Sequence, residues 1–304
     1  MTDGLVWDHH PALRDPFLVA AFDGWNDAGD AATAAADWLV RHSEPANPTA
    51  FASIDSDEHI DYQSRRPFVE FVDGVATSVR WPRHEFYATH WKSRDVVVLK
   101  GIEPNVRWQS YCDAIIAVAR DTGCSMVITL GALLGDVPHT RPVRVTGNAT
   151  DPAVSERLGL APSRYEGPTG IVGVLGDRCR REGLTSASLW APVPHYVASP
   201  PNPPATRALL DRLSAIADLG LTLTPLDDLV DVWRAQVDGA IADNDELVTY
   251  VRDLETRGDT DADDADDEAP PFDPRHPTSG PLPSADDLVG EVEQFLREQG
   301  PSDS

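Results

Sequence analysis

The stretch PFLVAAFDGWNDAGDAATAAADWL, residues 16–39, decides the fold. A strand with one wet face alternates apolar and polar residues. A run that is apolar at every position and stops at Asp23-Gly24 reads instead as a strand buried on both faces. The Ala-rich DAGDAATAAADWL that follows has a helix composition, so the segment reads as strand, tight loop, helix. Such a unit opens a parallel sheet covered by helices.

Further strands are expected at 49–54, 68–72, 76–81, 95–99, 125–130, 170–174 and 186–190. Helical stripes lie between and after them. Trp108, Tyr111, Cys112, Ile115 and Ala119 make one that ends at Gly123. Asp151-Pro152 and Asn202-Pro203 each pair an N-cap with a proline at the first helical position. The second of these leads into Leu209, Leu210, Leu213 and Ile216. Later stripes run through Leu229, Val230, Trp233, Val237 and Ile241, then Leu247, Val251 and Leu254. The expected fold is α/β in three layers, a mainly parallel sheet with helices on both faces, plus C-terminal helices. The core is expected at 1–225 and a helical extension at 226–257.

The 304 residues carry 25 Lys and Arg against 50 Asp and Glu, a formal net charge of -25. That charge repels nucleic-acid phosphate and anionic lipid over most of the surface, so neither is an expected partner. No window reaches the roughly 20 apolar residues of a membrane span, and MTDGLVWDHH lacks the basic and apolar parts of a secretory signal, so a cytoplasmic protein is expected. Cys112, Cys124 and Cys179 are odd in number and outside any CxxC pattern, which predicts buried free thiols rather than disulfides or a zinc site.

Arg257–Ser304 holds 14 acidic and 3 basic residues. Its DTDADDADDE run and the Pro-rich segment after it bury too little apolar surface to offset ordering, so 258–283 reads as a disordered linker. Periodicity returns at 284–299, where Leu288, Val292, Phe295 and Leu296 form one stripe. With Ser284 as N-cap, this is an amphipathic helix that needs a surface to cover it.

In an open parallel sheet, ligands bind beyond the carboxyl ends of the strands. The polar loops fall there. They carry Trp25, Asn26 and Asp27 after the first strand, Glu103 after 95–99, Asp136, His139 and Arg141 after 125–130, and His195 after 186–190. Glu166 precedes and Thr169 lies within the Gly167–Gly170 turn, which is able to offer backbone N–H groups to an anion or simply to lead into a strand. These ten residues are the candidate ligand crevice, with Arg141 gripping an anionic group and a carboxylate or His139 as general base. Plainer roles stand beside each: Asn26 or Asp27 as a helix cap, Glu103 as a first-turn carboxylate, Arg141 paired with Asp136 or Glu166, and both histidines as hydrogen-bonded packing groups. G-x-S-x-G, phosphate-loop, H-E-x-x-H and G-x-G-x-x-G motifs are missing, so no catalytic residue, metal or cofactor is assigned.

Seven segments carry a resemblance: FDGWNDAGDAA from Phe22, DYQSRRP from Asp61, VRWP from Val79, EPNVRW from Glu103, PHTRPVRVTG from Pro138, RYEGPTGI from Arg164 and SLWAPVPHYVA from Ser188. In this order they resemble the actinobacterial branch of the proteasome assembly chaperone 2 family. The resemblance implies a phosphorylase/hydrolase-like three-layer fold and a protein-binding role without turnover, with proteasome subunits or a related assembly as partner. The alternative is a small-ligand-binding protein, hydrolase or transferase using the crevice. A homo-oligomer is expected, with Trp7, Trp81 and Trp91 as interface residues. Docking by the last residues, Ser302-Asp303-Ser304, is not expected, because they lack the hydrophobic-Tyr-X pattern of chaperone tails. The stripe from Leu288 to Leu296 is the better candidate.

Overall fold

The computed structural model describes residues 4–72, 75–160 and 166–263. The chain divides into Met1–Ala269 and Pro270–Ser304. All described residues belong to the first unit, so the expected terminal helix and most of the expected linker lie outside them.

The elements begin with β1 (Leu5–Trp7), β2 (Phe17–Asp23), α1 (Ala31–Arg41), β3 (Ala52–Ile54), β4 (Phe68–Val72) and β5 (Val75–Arg80). Next come β6 (His84–His90), β7 (Asp95–Ile102), α2 (Trp108–Asp121), β8 (Val127–Gly135), β9 (Thr146–Ala149) and α3 (Pro152–Leu158). Last are α4 (Ile171–Arg181), β10 (Ser186–Pro194), α5 (Pro203–Ala217), α6 (Thr224–Ile241) and α7 (Asp245–Asp263). One sheet runs in the order β1-β3-β6-β7-β2-β8-β10-β9, while β4 and β5 form a separate hairpin. The central strands β7, β2, β8 and β10 are parallel. Antiparallel strands finish both margins.

The continuous apolar run of β2 has its expected cause. Phe17, Val19 and Ala21 pack into the core shared with α1 and α5, while Leu18, Ala20 and Phe22 face the core built with α2 and α4. Strand β7 repeats the alternation, with Val96 and Val98 on the first side and Val97 and Leu99 on the second. Each fully buried Leu, Val or Phe contributes about 1.5 to 3 kcal/mol, so this double cover holds the three layers together. The caps read from sequence form: Asp151 accepts from Ala153 N–H at 2.7 Å and Asn202 from Ala205 N–H at 3.0 Å.

Several expectations are corrected. Residues 170–174 start a helix, not a strand. Ile171, Val172, Leu175 and Cys179 are buried at helical spacing, and a short apolar run alone does not separate the two states. In α6 the buried stripe is Leu226, Val230, Trp233 and Val237, whereas Leu229 is 53% exposed. Helix α7 continues through 258–263, which composition had assigned to the linker. Strand β6, HEFYATH, escaped detection because it is polar, yet His84 and Phe86 are fully buried. Trp7 stacks on His10 at 4.3 Å and Trp91 on Trp38 at 5.9 Å, so both are engaged within the chain. Trp81 stays 49% exposed.

The three cysteines are free and buried. Burial pushes the Cys112 thiol up to about 12 and those of Cys124 and Cys179 up to about 11, far from the thiolate a nucleophile needs. Among the described residues no helix is long and apolar enough to cross a membrane.

Candidate functional site

The four parallel strands end at Asp23, Ile102, Gly135 and Pro194, and the loops leaving them carry most of the residues singled out from sequence. The side-chain contacts along this edge fall into two clusters.

The first cluster lies at β2, β7 and the start of α4. Glu103 Oε1 accepts hydrogen bonds from Asn26 Nδ2 at 2.8 Å and from Ile171 N–H at 2.9 Å. One carboxylate thus ties two strand ends to a helix N-terminus, where its charge also meets the positive end of the helix dipole. Gly170 makes the approach possible, because a Cβ there would come within 2.6 Å of Asn26 Oδ1 and 2.7 Å of Glu103 Oε1. Asn26 is 2% exposed and its backbone carbonyl accepts from Ala132 N–H at 2.8 Å. It is a clasp residue and caps nothing.

Asp27 serves α1 instead. Its Oδ1 accepts from Ala32 N–H at 2.7 Å and Thr33 N–H at 3.2 Å, and the Thr33 hydroxyl donates to its other oxygen. Burial raises the Asp27 pKa, opposed by these bonds. The turn itself depends on Gly29, whose φ of 60° comes with a hypothetical Cβ only 2.8 Å from the Asn202 side chain. Trp25, between glycine and clasp, is 64% exposed, and Val106 in the loop after β7 is 50% exposed. Glu166 and Thr169 are exposed ahead of α4.

The second cluster joins β8 and β10 to α6 and α7. Tyr196 Oη accepts the His139 backbone N–H at 2.9 Å and lies 2.8 Å from His139 Nδ1. The Asp238 carboxylate on α6 only accepts, so Nε2–H donates to its Oδ1 at 3.0 Å, and in the neutral ring Nδ1 then accepts from the Tyr196 hydroxyl. His139 is only 3% exposed and also packs edge-on against Trp233 of α6. His195 Nδ1 lies 3.2 Å from Asp136 Oδ1 at ion-pair distance without hydrogen-bond alignment, and the ring packs edge-on against Tyr196 and Tyr250. Tyr250, on α7, reaches Asp136 at 3.4 Å. These groups hold the terminal helices to the sheet edge. Arg141 is exposed at the end of the same loop, and Thr140 beside it donates to Glu255 of α7.

Chemically, both clusters consist of caps, clasps and ring contacts between elements. Among the described residues no group of three or more His, Cys, Asp or Glu is arranged to hold a metal ion. A groove of about 720 Å³ lies elsewhere, between α5, α6 and residues 142–145. Sequence reasoning missed Tyr196, Asp238 and Tyr250. Only the pairing of an isolated His with a Tyr after the same strand hinted at the first.

Residues 21–241 match the PAC2 family. The chain is 44% identical to a PAC2 family protein of Streptomyces avermitilis, with a TM-score of 0.72 over 78% of this chain and 100% of that one. It is 43% identical to a proteasome-assembly chaperone homologue of Mycobacterium tuberculosis, TM-score 0.70, over 77% of this chain and 99% of that one. An archaeal proteasome activator of Pyrococcus furiosus shares the fold alone, at 17% identity and a TM-score of 0.62 over 78% and 97% of the two chains. No curated protein matches the chain. With the match covering most of the sequence and the sheet intact between its helical layers, the chain belongs to the PAC2 family.

Proposed function

We propose that the protein is a proteasome-assembly-chaperone-like factor of the cytoplasm. It acts by protein–protein contact without turnover, works as a homo-oligomer, and has proteasome subunits or a related assembly as its partner. One observation carries this reading. On the β2–β7 half of the carboxyl edge Asn26 and Glu103 are turned onto one another, whereas Trp25, next to Asn26 in the chain, faces outward at 64% exposure. A rigid loop that presents an exposed tryptophan has the character of an interface anchor. The name of the mycobacterial relative supports the partner class.

The test is co-purification of proteasome α subunits with the chain at its native expression level. Trp25→Asp is expected to weaken that association at least roughly tenfold while leaving the thermal transition unchanged, since the side chain is mostly exposed. Association that ignores Trp25→Asp would move the interface elsewhere.

The segment around Leu288, Val292, Phe295 and Leu296 is proposed as a second contact. Leu288→Asp with Leu296→Asp is expected to weaken either self-association or partner association, read by sedimentation and by the same co-purification. If neither changes, the stripe has no binding role.

A further inference from the structure

Strand β9 ends the sheet among the described residues and pairs with β10 alone. Thr150 N–H donates to the Ser186 carbonyl at 2.9 Å. Bonded positions alternate along an antiparallel ladder, so Asn148 and Thr146 bond to their partners Ser188 and Trp190, and the N–H and C=O groups of Gly147 and Ala149 turn to the outer side. Continuing the register sets Arg144 opposite Pro192, which has no N–H to give. The ladder stops there. Residues 142–145 still alternate, with Val143 and Val145 packed against the core and Pro142 and Arg144 exposed. Val143, Arg144 and Val145 make no backbone hydrogen bond among the described residues. An unpaired edge of this kind is a template for another strand.

The groove of about 720 Å³ borders this edge, with Val143 and Val145 on one side and Ala208 and Ala215 of α5 and Val230 of α6 on the other. Arg207, Arg212 and Arg234 also line it, and the carboxylates of Asp211, Asp227 and Asp231 balance them, so net charge does not select the ligand. Hydrogen bonding does. Arg207 is paired with Asp227, and Arg212 donates to the carbonyls of Leu158 and Gly159. Arg234 is half-buried yet makes no hydrogen bond or ion pair among the described residues. A small anion would satisfy Arg234 and leave the strand edge unpaired. An extended peptide offers oxygen acceptors, a row of alternating N–H and C=O groups, and side chains that project to one face at every second residue.

We infer that residues 142–149 and the adjoining groove bind an extended peptide segment of a partner protein. The peptide adds as a strand beside β9, its alternate apolar side chains enter the groove, and one of its oxygens accepts from the Arg234 guanidinium. The site is separate from Trp25 and does not depend on which assembly the chain serves.

The experiment selects random phage-displayed hexapeptides on the full chain and titrates the enriched sequence, made as a fluorescent peptide, by anisotropy. The enriched peptide is expected to carry apolar residues at alternate positions. N-methylation of its amides one at a time is expected to weaken binding roughly tenfold or more at every second position and little between them, since only one set of N–H groups faces β9. Ala215→Trp, which fills the groove from an exposed helix position, is expected to abolish binding, and Arg234→Ala to weaken it roughly tenfold, with the thermal transition showing that both variants stay folded. Trp25→Asp is expected to change nothing, which separates this site from the proteasome reading. No enrichment on the folded chain, N-methyl effects without the alternation, or binding indifferent to Ala215→Trp or Arg234→Ala overturns the inference. Complete displacement of the peptide by inorganic phosphate also overturns it, in favour of an anion pocket. Loss of self-association in Ala215→Trp without any peptide binding overturns it in favour of a contact between copies.

Discussion

Glu103→Ala is expected to lower the unfolding free energy by about 3 kcal/mol, the largest loss for any single side chain on the carboxyl edge. Two donors lose their acceptor at once, Asn26 Nδ2 and the first N–H of α4. Asn26 is 2% exposed, so water does not readily replace the carboxylate. Leaving a buried donor unpaired costs about 1 to 3 kcal/mol, and the helix end also loses a favourable charge worth about 0.3 to 1 kcal/mol. Glu103→Gln keeps an acceptor oxygen without the charge, so about half the loss is expected. Denaturant unfolding of both variants measures this. A loss below about 1 kcal/mol for the alanine variant would mean that the clasp does not hold β2, β7 and α4 together.

Acid is expected to destabilise the protein through His84. The residue is fully buried on β6, where Nδ1 accepts from the Tyr111 hydroxyl at 2.9 Å and from Ile102 N–H at 3.3 Å, and Nε2 has no partner. Burial pushes its pKa down from 6.5 to about 3, and neighbouring His59 adds to the shift. His59 is itself lowered by burial, opposed by the Val106 backbone and the charge of Asp55. Below pH 6.5 the unfolded chain therefore binds protons that the folded chain refuses. The stabilisation is complete above that value and is lost as pH falls toward 3, at about 1.4 kcal/mol per pH unit for His84. From pH 6.5 to 5 the loss is about 2 kcal/mol. Asp27, raised by burial, acts in the opposite sense toward the carboxylate range, so the upper part of the window belongs to the histidines. Unfolding free energies measured across it for the wild type and His84→Asn test the assignment. The variant is expected to lose at least half of the slope, and an unchanged slope would point to other groups.

How legible all this was depends on the physical signal. Double burial writes itself as an unbroken apolar run, so β2 and β7 were plain from composition alone. N-caps at Asp151 and Asn202 were equally plain, because each stands before a proline. Strand β6 was hidden because its burial is carried by His84 and Phe86 among polar residues, and a buried histidine has no period of its own. The start of α4 was misread because Ile171 and Val172 look like a strand until Leu175 and Cys179 are counted with them. On the edge, Asp27 was legible as a cap from its residue type. The Glu103 clasp was not, since Asn26 and Ile171 are 77 and 68 residues away from it in sequence. Nor was the division of the edge, because Asp238 and Tyr250 reach it from helices far along the chain. Exposure of Leu229 was equally out of reach, since the sequence offers Leu226 and Leu229 to the same stripe and only the angle at which α6 lies on its neighbours chooses between them.

The central claim is that this protein works by binding a proteasome-type assembly through its exposed carboxyl edge. Titration of the purified full chain into purified proteasome α subunits of the same organism, followed by interferometry, tests it most directly. The account predicts saturable binding at micromolar concentration or below, weakened roughly tenfold or more by Trp25→Asp. Absence of binding by a folded wild-type chain, or equal binding by wild type and Trp25→Asp, would contradict it.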